Sequence, residues 1–191
     1  MKKIFTLTIA IIMLCSVIAL PGCSGIGKAP VYVEIEMEAG GIIKLELYPD
    51  IAPITVQNFV KLANDGFYDG LTFHRIFDGF MIQGGQNPNK TTDTIKGEFS
   101  QNGVKNDLKH ERGVISMART NVFDSASTQF FIMHADNNNL DGAYAAFGRV
   151  ISGMDVVDAI VAKTERTWSA LDNANTVPVN PPVIKTIRVV K

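Results

Sequence analysis

The stretch FHRIFDGFMIQGGQ, residues 73–86, sets Arg75 and Gln83 eight residues apart among three phenylalanines and a methionine. Such a surface can hold something apolar while offering strong N–H donors to a carbonyl or amide. Other chemistries fit the residues poorly. The histidines, His74, His110 and His134, have no metal-ligand spacing and no cysteine nearby. Gly84-Gly85 is not followed by the lysine and hydroxyl pattern of a phosphate loop. Serines are plentiful, but no nucleophile elbow or paired base stands out. A prolyl peptide bond matches what remains. Its isomerisation breaks no covalent bond and requires no nucleophile, metal or cofactor. The obstacle is amide resonance, a barrier of ~18–20 kcal/mol, and uncatalysed exchange is correspondingly slow. In the twisted transition state the proline nitrogen becomes pyramidal and regains a lone pair. A fixed guanidinium that donates to that lone pair binds the transition state better than the planar ground state, which lowers the barrier.

Elements able to position these groups are legible on either side. Val31, Val33, Ile35 and Met37 alternate with polar residues, Ala39-Gly40-Gly41 turns the chain, and Ile43, Leu45 and Leu47 alternate on the way back. This period of two predicts an antiparallel hairpin. Pro53 suits the first turn of a helix whose stripe is Val56, Phe59, Val60 and Ala63, with Gly66 as a stop. A second helix follows Gly153, with Met154, Val157, Ile160 and Val161 as its stripe. Short apolar runs over 71–76, 80–83, 114–118, 129–134, 145–150 and 183–190 read as further strands of a barrel or sandwich that closes its own edges.

The 191 residues suit one domain plus an extension, and 46% hydrophobic content is enough for a core. A formal charge of −1 gives no reason to expect nucleic acid or an acidic membrane as a partner. Lys2 and Lys3 precede an uncharged apolar run from Ile4 to Leu20, the layout of an export signal. Leu20-Pro21-Gly22-Cys23 resembles the lipobox of bacterial lipoproteins, with Pro21 where a small residue is usual. That resemblance implies a signal peptide over 1–22, acylation of Cys23 and a short tether over 23–30. The domain, 31–191, would then be held at the extracytoplasmic face of a membrane; a retained N-terminal anchor is the alternative. Loss of Lys2 and Lys3 takes the charge to −3, and Cys23 keeps no partner for an intramolecular disulfide once Cys15 is removed.

FHRIFDGFMIQGG, GVISMART, SASTQFFIMH and LDGAYAAFGRV together resemble, in order and spacing, the motifs of cyclophilins, the peptidyl-prolyl cis-trans isomerases. The resemblance spans about residues 31–191. It implies a mainly β fold, a closed eight-stranded antiparallel barrel capped by two helices. It also implies that Arg75 is the catalytic arginine and that Gln83 helps place the substrate carbonyl. Phe80, Met81, Phe131 and Leu140 would line the proline pocket. Ala118 and the backbone at Arg119 would border the groove for preceding residues, Gln129 would face that groove, and Tyr144 would close the pocket's far side. Partners would be proline-containing peptides and exported proteins still folding, with no cofactor and a monomeric domain.

The same residues have ordinary readings. Phe80, Met81 and Phe131 suit a strand core, Arg75 a surface salt bridge, and Gln129 a local strand connection. His74 reads as a hydrogen-bonded structural histidine. The rival function is a proline-peptide binding module or holdase without turnover, against which the retained Arg75 and Gln83 argue. Asn139 stands where many eukaryotic cyclophilins carry Trp, which predicts weak cyclosporin binding. Tyr144 stands where many carry His. Residues 86–96 are poorer in glycine than the family loop, and Phe123 suits either substrate contact or local packing.

Overall fold

A computed structural model describes residues 28–190. The expected signal peptide and Cys23 lie outside the described residues. The strands are β1 (Val31–Met37), β2 (Ile42–Leu47), β3 (Phe73–Phe77), β4 (Met81–Gly84), β5 (Val114–Met117), β6 (Phe130–Met133), β7 (Ala146–Ser152), β8 (Arg166–Ser169), β9 (Ala174–Pro178) and β10 (Ile184–Val190). The helices are α1 (Pro53–Asn64) and α2 (Met154–Lys163).

Alternation builds the sheet. In β1 and β2, Ile35 faces Ile43 and Val33 faces Leu45, all four buried, while Glu34 meets Lys44 on the wet face at 2.8 Å. All pairings are antiparallel, in the order β10-β1-β2-β7-β5-β6-β4-β3. β6 is buried on both faces, and its alternate residues divide between two clusters. Phe130 and Ile132 enter the main core, where Phe130 meets Phe59 edge-on at 5.3 Å. Phe131 and Met133 join a smaller cluster on the opposite face with Met81, Val114 and Ala146.

Helix α1 buries Val56, Phe59, Leu62 and Ala63 against that core. Ala52 offers its N-terminus no side-chain cap. Glu98 does so from a distance, accepting hydrogen bonds from Ile54 N–H (3.0 Å), Thr55 N–H (2.7 Å) and the Thr55 hydroxyl (2.7 Å). A carboxylate there also complements the helix dipole. α2 starts at Gly153 with φ +90, where a Cβ would stand 2.2 Å from the Ile42 carbonyl oxygen, so only glycine fits.

The expected closed barrel does not form. The sheet curls but stays open between its edge strands, β3 and β10, which are joined by one isolated bridge, Thr72–Val183. Flanking hydrogen bonds run from Phe73 N–H to Pro182 O and from Ile184 N–H to Leu71 O. Two features oppose a longer ladder. Pro181 and Pro182 lead into β10 without N–H donors, and β9 packs beside β3. β8 and β9 form a separate two-stranded hairpin, which the residue pattern did not predict. Its turn passes through Asn173, a non-glycine residue with φ +50, in the left-handed region that asparagine tolerates.

Candidate active site

The eight-residue interval between Arg75 and Gln83 is a cross-strand register. β3 and β4 form a tight hairpin in which Arg75 lies opposite Gln83. β4 then pairs with β6 so that Gln83 lies opposite Phe131, and β6 with β5 so that Phe131 lies opposite Ser116. Residues opposite one another project on the same face, so Arg75, Gln83, Phe131 and Ser116 form one row across four strands. Gly85, next after β4, has φ +84, and a Cβ there would stand 2.5 Å from the Thr128 carbonyl oxygen. That close approach holds the end of β4 against the segment leading to β6.

Above this row lies a cavity of about 470 Å³. The structure places all ten residues singled out in the sequence on its wall: Arg75, Phe80, Met81, Gln83, Ala118, Arg119, Gln129, Phe131, Leu140 and Tyr144. His74, Gln86 and Leu171 complete the lining. Phe131 and Tyr144 meet edge-on at 5.8 Å, and Phe80 is braced edge-on by Phe77 at 5.7 Å. A second groove of about 220 Å³ shares Gln83, Ala118, Arg119 and Gln129 and continues past Thr120 and Ser125.

Polar groups along one side are linked in series. Arg75 Nη1 donates to Gln83 Oε1 at 3.0 Å, and Gln83 Nε2 donates to Gln129 Oε1 at 2.9 Å. On its other side Arg75 forks onto Asp172 from the β8–β9 hairpin, with Nε donating to Oδ2 at 2.9 Å and Nη2 to Oδ1 at 2.5 Å. The Arg75 hydrogen bond is the main reason the Asp172 carboxyl is held below the usual carboxylate range; burial opposes it, and Thr176 adds to it. Arg119 carries more than a backbone role. Its guanidinium stacks 4.6 Å from the Tyr144 ring centroid, 5.0 Å from Phe99 and 5.3 Å from Phe123. Phe123 is therefore engaged in packing, edge-on to Phe99 at 5.3 Å.

Beneath the pocket His110 is fully buried and stacks on Phe131 at 6.1 Å. Its Nδ1 lies 3.1 Å from Asp141 Oδ1 and its Nε2 lies 3.1 Å from Ser116 Oγ. Burial pushes the imidazole below its usual value despite Asp141. In the neutral ring the carboxylate takes the Nδ1–H, so the Ser116 hydroxyl donates to Nε2. This serine-histidine-aspartate set is structural, since Ser116 is 0% exposed and spends its proton inside the fold. His74 is hydrogen-bonded as expected: burial lowers its pKa, and the Thr72 backbone and the Gln129 side chain both hold it up against that burial.

Sequence reasoning missed Asp172, Leu171 and Gln86 at the cavity, and the His110–Asp141–Ser116 set below it. The Asp-Asn pair at 172–173 was a turn signal, but nothing local ties it to Arg75. Among the described residues no cluster of His, Cys, Asp or Glu could hold a metal, and no helix is long and apolar enough to cross a membrane. The site therefore offers an apolar pocket with directed N–H donors and a polar groove beside it. That arrangement can bind an amide next to an apolar ring and act on the amide by hydrogen bonding.

Comparison with known proteins agrees with this chemistry. Residues 32–189 match the family described as cyclophilin type peptidyl-prolyl cis-trans isomerase/CLD. The chain is 42% identical over 151 residues to a peptidyl-prolyl cis-trans isomerase of Acinetobacter baylyi, covering 76% of this chain and 80% of that protein. It is 46% identical over 123 residues to peptidyl-prolyl cis-trans isomerase B of Bacillus subtilis, covering 62% and 82%. A cyclophilin-type isomerase of Cryptosporidium parvum superposes with a TM-score of 0.71 at 26% identity, covering 85% of this chain and 98% of that one. The same protein solved in the presence of the dipeptide Ala-Pro gives 0.70 at 26% identity, covering 84% and 99%.

Proposed function

The chain belongs to the cyclophilin-type peptidyl-prolyl cis-trans isomerase family, and from that premise we propose that it accelerates rotation about Xaa-Pro bonds with Arg75 as its catalytic residue. The observation that carries the reading is the Arg75–Gln83 cross-strand pair on the wall of the apolar cavity. Phe80, Met81, Phe131 and Leu140 hold the proline ring, and Tyr144 closes the far side. Gln83, with Gln129 behind it, presents its amide to the substrate carbonyl. The groove past Ala118, Arg119 and Gln129 takes the residues before proline. That a relative was solved with Ala-Pro supports this class of ligand.

The mechanism is differential binding. A planar ground-state amide has its nitrogen lone pair delocalised and offers no acceptor there. As the C–N bond twists, the lone pair localises and accepts an N–H from Arg75. That interaction exists only near the transition state, so it raises turnover rather than ground-state affinity. No proton is transferred, which is consistent with burial lowering the pKa of both His110 and His74.

The N-terminal motif supports a reading in which this activity is exerted outside the cytoplasm. In this reading residues 1–22 are a lipoprotein signal, Cys23 carries the lipid anchor, residues 23–30 are a tether, and the isomerase domain acts as a monomer on exported proteins still folding. Asn139, exposed and lacking an indole, makes cyclosporin binding weak. The alternative, a proline-peptide binding module without turnover, is weakened by the intact Arg75–Gln83 pair.

The deciding experiment measures exchange of a short Ala-Pro peptide at low temperature by the full-length protein and by Arg75→Ala. Acceleration by the wild type, largely lost in a folded Arg75→Ala, supports both the enzyme and its central residue. A folded wild type that gives no acceleration refutes turnover and leaves the binding module.

A further inference from the structure

We propose that Asp172, in the turn of the β8–β9 hairpin, is the positioning residue for Arg75: it fixes the plane of the guanidinium so that the remaining N–H groups face the substrate amide. The proposal rests on the isomerase reading above and extends it.

A guanidinium has five N–H donors in a rigid plane. Here Nε and Nη2 grip the two oxygens of Asp172 and Nη1 donates to Gln83. A fork on a carboxylate defines a plane, where a single hydrogen bond would define only a direction. Together the three contacts leave two N–H donors unspent. The carboxylate is itself fixed. Its side chain is 5% exposed, the buried Thr176 hydroxyl donates to Oδ2 at 2.5 Å, and the Asp172 N–H reaches Ser169 Oγ at 3.4 Å. Thr176 and Ser169 lie on the two strands of the hairpin, so Asp172 is tied to both arms. The clamp also stands at the substrate's door, because its neighbour Leu171 is 88% exposed and lines the cavity.

The pairing has a second consequence. A carboxylate at this distance offsets the arginine's net charge, so Arg75 cannot act chiefly as a diffuse positive field. What survives charge neutralisation is the direction of its free N–H groups, and direction is what Asp172 controls. A 1 Å displacement of such a group is enough to cost a large part of its effect.

The test compares Asp172→Ala, Asp172→Asn and Asp172→Glu in the full-length protein, with kcat and KM for an Ala-Pro peptide and thermal unfolding as readouts. The double variant with Arg75→Ala completes a cycle. Positioning predicts that Asp172→Ala and Asp172→Asn lose about tenfold or more in kcat with little change in KM, and that Asp172→Glu recovers part of it. In the Arg75→Ala background, removing Asp172 should cost nothing further in kcat, because there is no longer a guanidinium to aim. An Asp172→Asn protein that folds and stays within about threefold of wild type overturns the proposal, as does an equal loss in both backgrounds. If Asp172→Ala does not fold, Asp172→Asn and Thr176→Val carry the same kcat readout. Failure here with Arg75→Ala still inactive removes only Asp172's role. Full activity in Arg75→Ala would instead overturn the reading of the site itself.

Discussion

Replacing Arg75 with lysine keeps a positive charge in the cavity and removes the planar fork, which separates two ways an arginine could lower this barrier. If a point charge suffices, the ammonium should serve nearly as well, since both cations reach a similar depth. The geometry predicts otherwise. Arg75 has three hydrogen bonds to protein, two to Asp172 and one to Gln83, and its catalytic contact comes from donors left over in the same plane. An ammonium has three tetrahedral donors and no fork. Drawn to Asp172 and Gln83, it has at most one donor left, in an undefined direction. Losing one well-aimed, charge-assisted hydrogen bond costs about 2–3 kcal/mol, equivalent to roughly 30- to 150-fold in kcat/KM. The loss should fall on kcat, with KM within about twofold, because the bond forms only as the amide twists. Stability should change less. Arg75 is 27% exposed and the charge is retained, so about 1 kcal/mol and a few degrees in Tm are expected. The assay is peptide isomerisation with kcat and KM resolved, beside a thermal melt. A folded Arg75→Lys within about threefold of wild type would refute the directed-donor argument and favour a field effect.

Three other outcomes follow from the structure. Glu98→Ala strips three donors at the α1 N-terminus of their acceptor and should cost about 3 kcal/mol by denaturant unfolding; a loss below about 1 kcal/mol would mean that this end is held elsewhere. Burial holds both His110 and His74 below the ordinary histidine value, so as pH falls below about 6.5 the unfolded chain takes up protons that the folded one refuses, and stability drops. Tm should be level above about pH 7 and decline from there toward pH 5, before the lowered carboxyls of Asp124, Asp141 and Asp172 begin to lose their own contribution; a flat profile over that interval contradicts the assignment. Full-length protein expressed in a bacterium with labelled palmitate should incorporate label, and Cys23→Ser should not; equal labelling of the two would remove the lipoprotein reading.

Periodicity carried most of the architecture. The first hairpin and both helices show a clean period of two or 3.6, because each has one face on the core, while the later strands read only as short apolar runs. β6 shows the limit of that signal. Phe130, Phe131, Ile132 and Met133 are all buried, so no alternation marks which phenylalanine faces the core and which the cavity, and only the motif resemblance selected Phe131. The β8–β9 hairpin was missed for the opposite reason. Trp168, Leu171, Val177 and Val179 are apolar yet exposed, so its pattern resembles neither a half-buried strand nor a polar loop. Closure failed as an expectation because counting eight strands says nothing about whether the last finds the first, and Pro181-Pro182 sits at that seam.

The same distinction governs the site. Arg75 and Gln83 could be recognised together because a hairpin converts an interval of eight residues into a facing pair. Asp172 lies 97 residues from Arg75, reached through a hairpin outside the eight-stranded sheet, and no local pattern records that contact. The motif FHRIFDGFMIQGG thus specifies which donor meets the amide, while the rigidity of that donor depends on a distant turn. Two chains with identical motifs but different segments between α2 and β10 should then differ in kcat more than in KM, because the pocket that binds proline is common to both and the clamp that aims Arg75 is not.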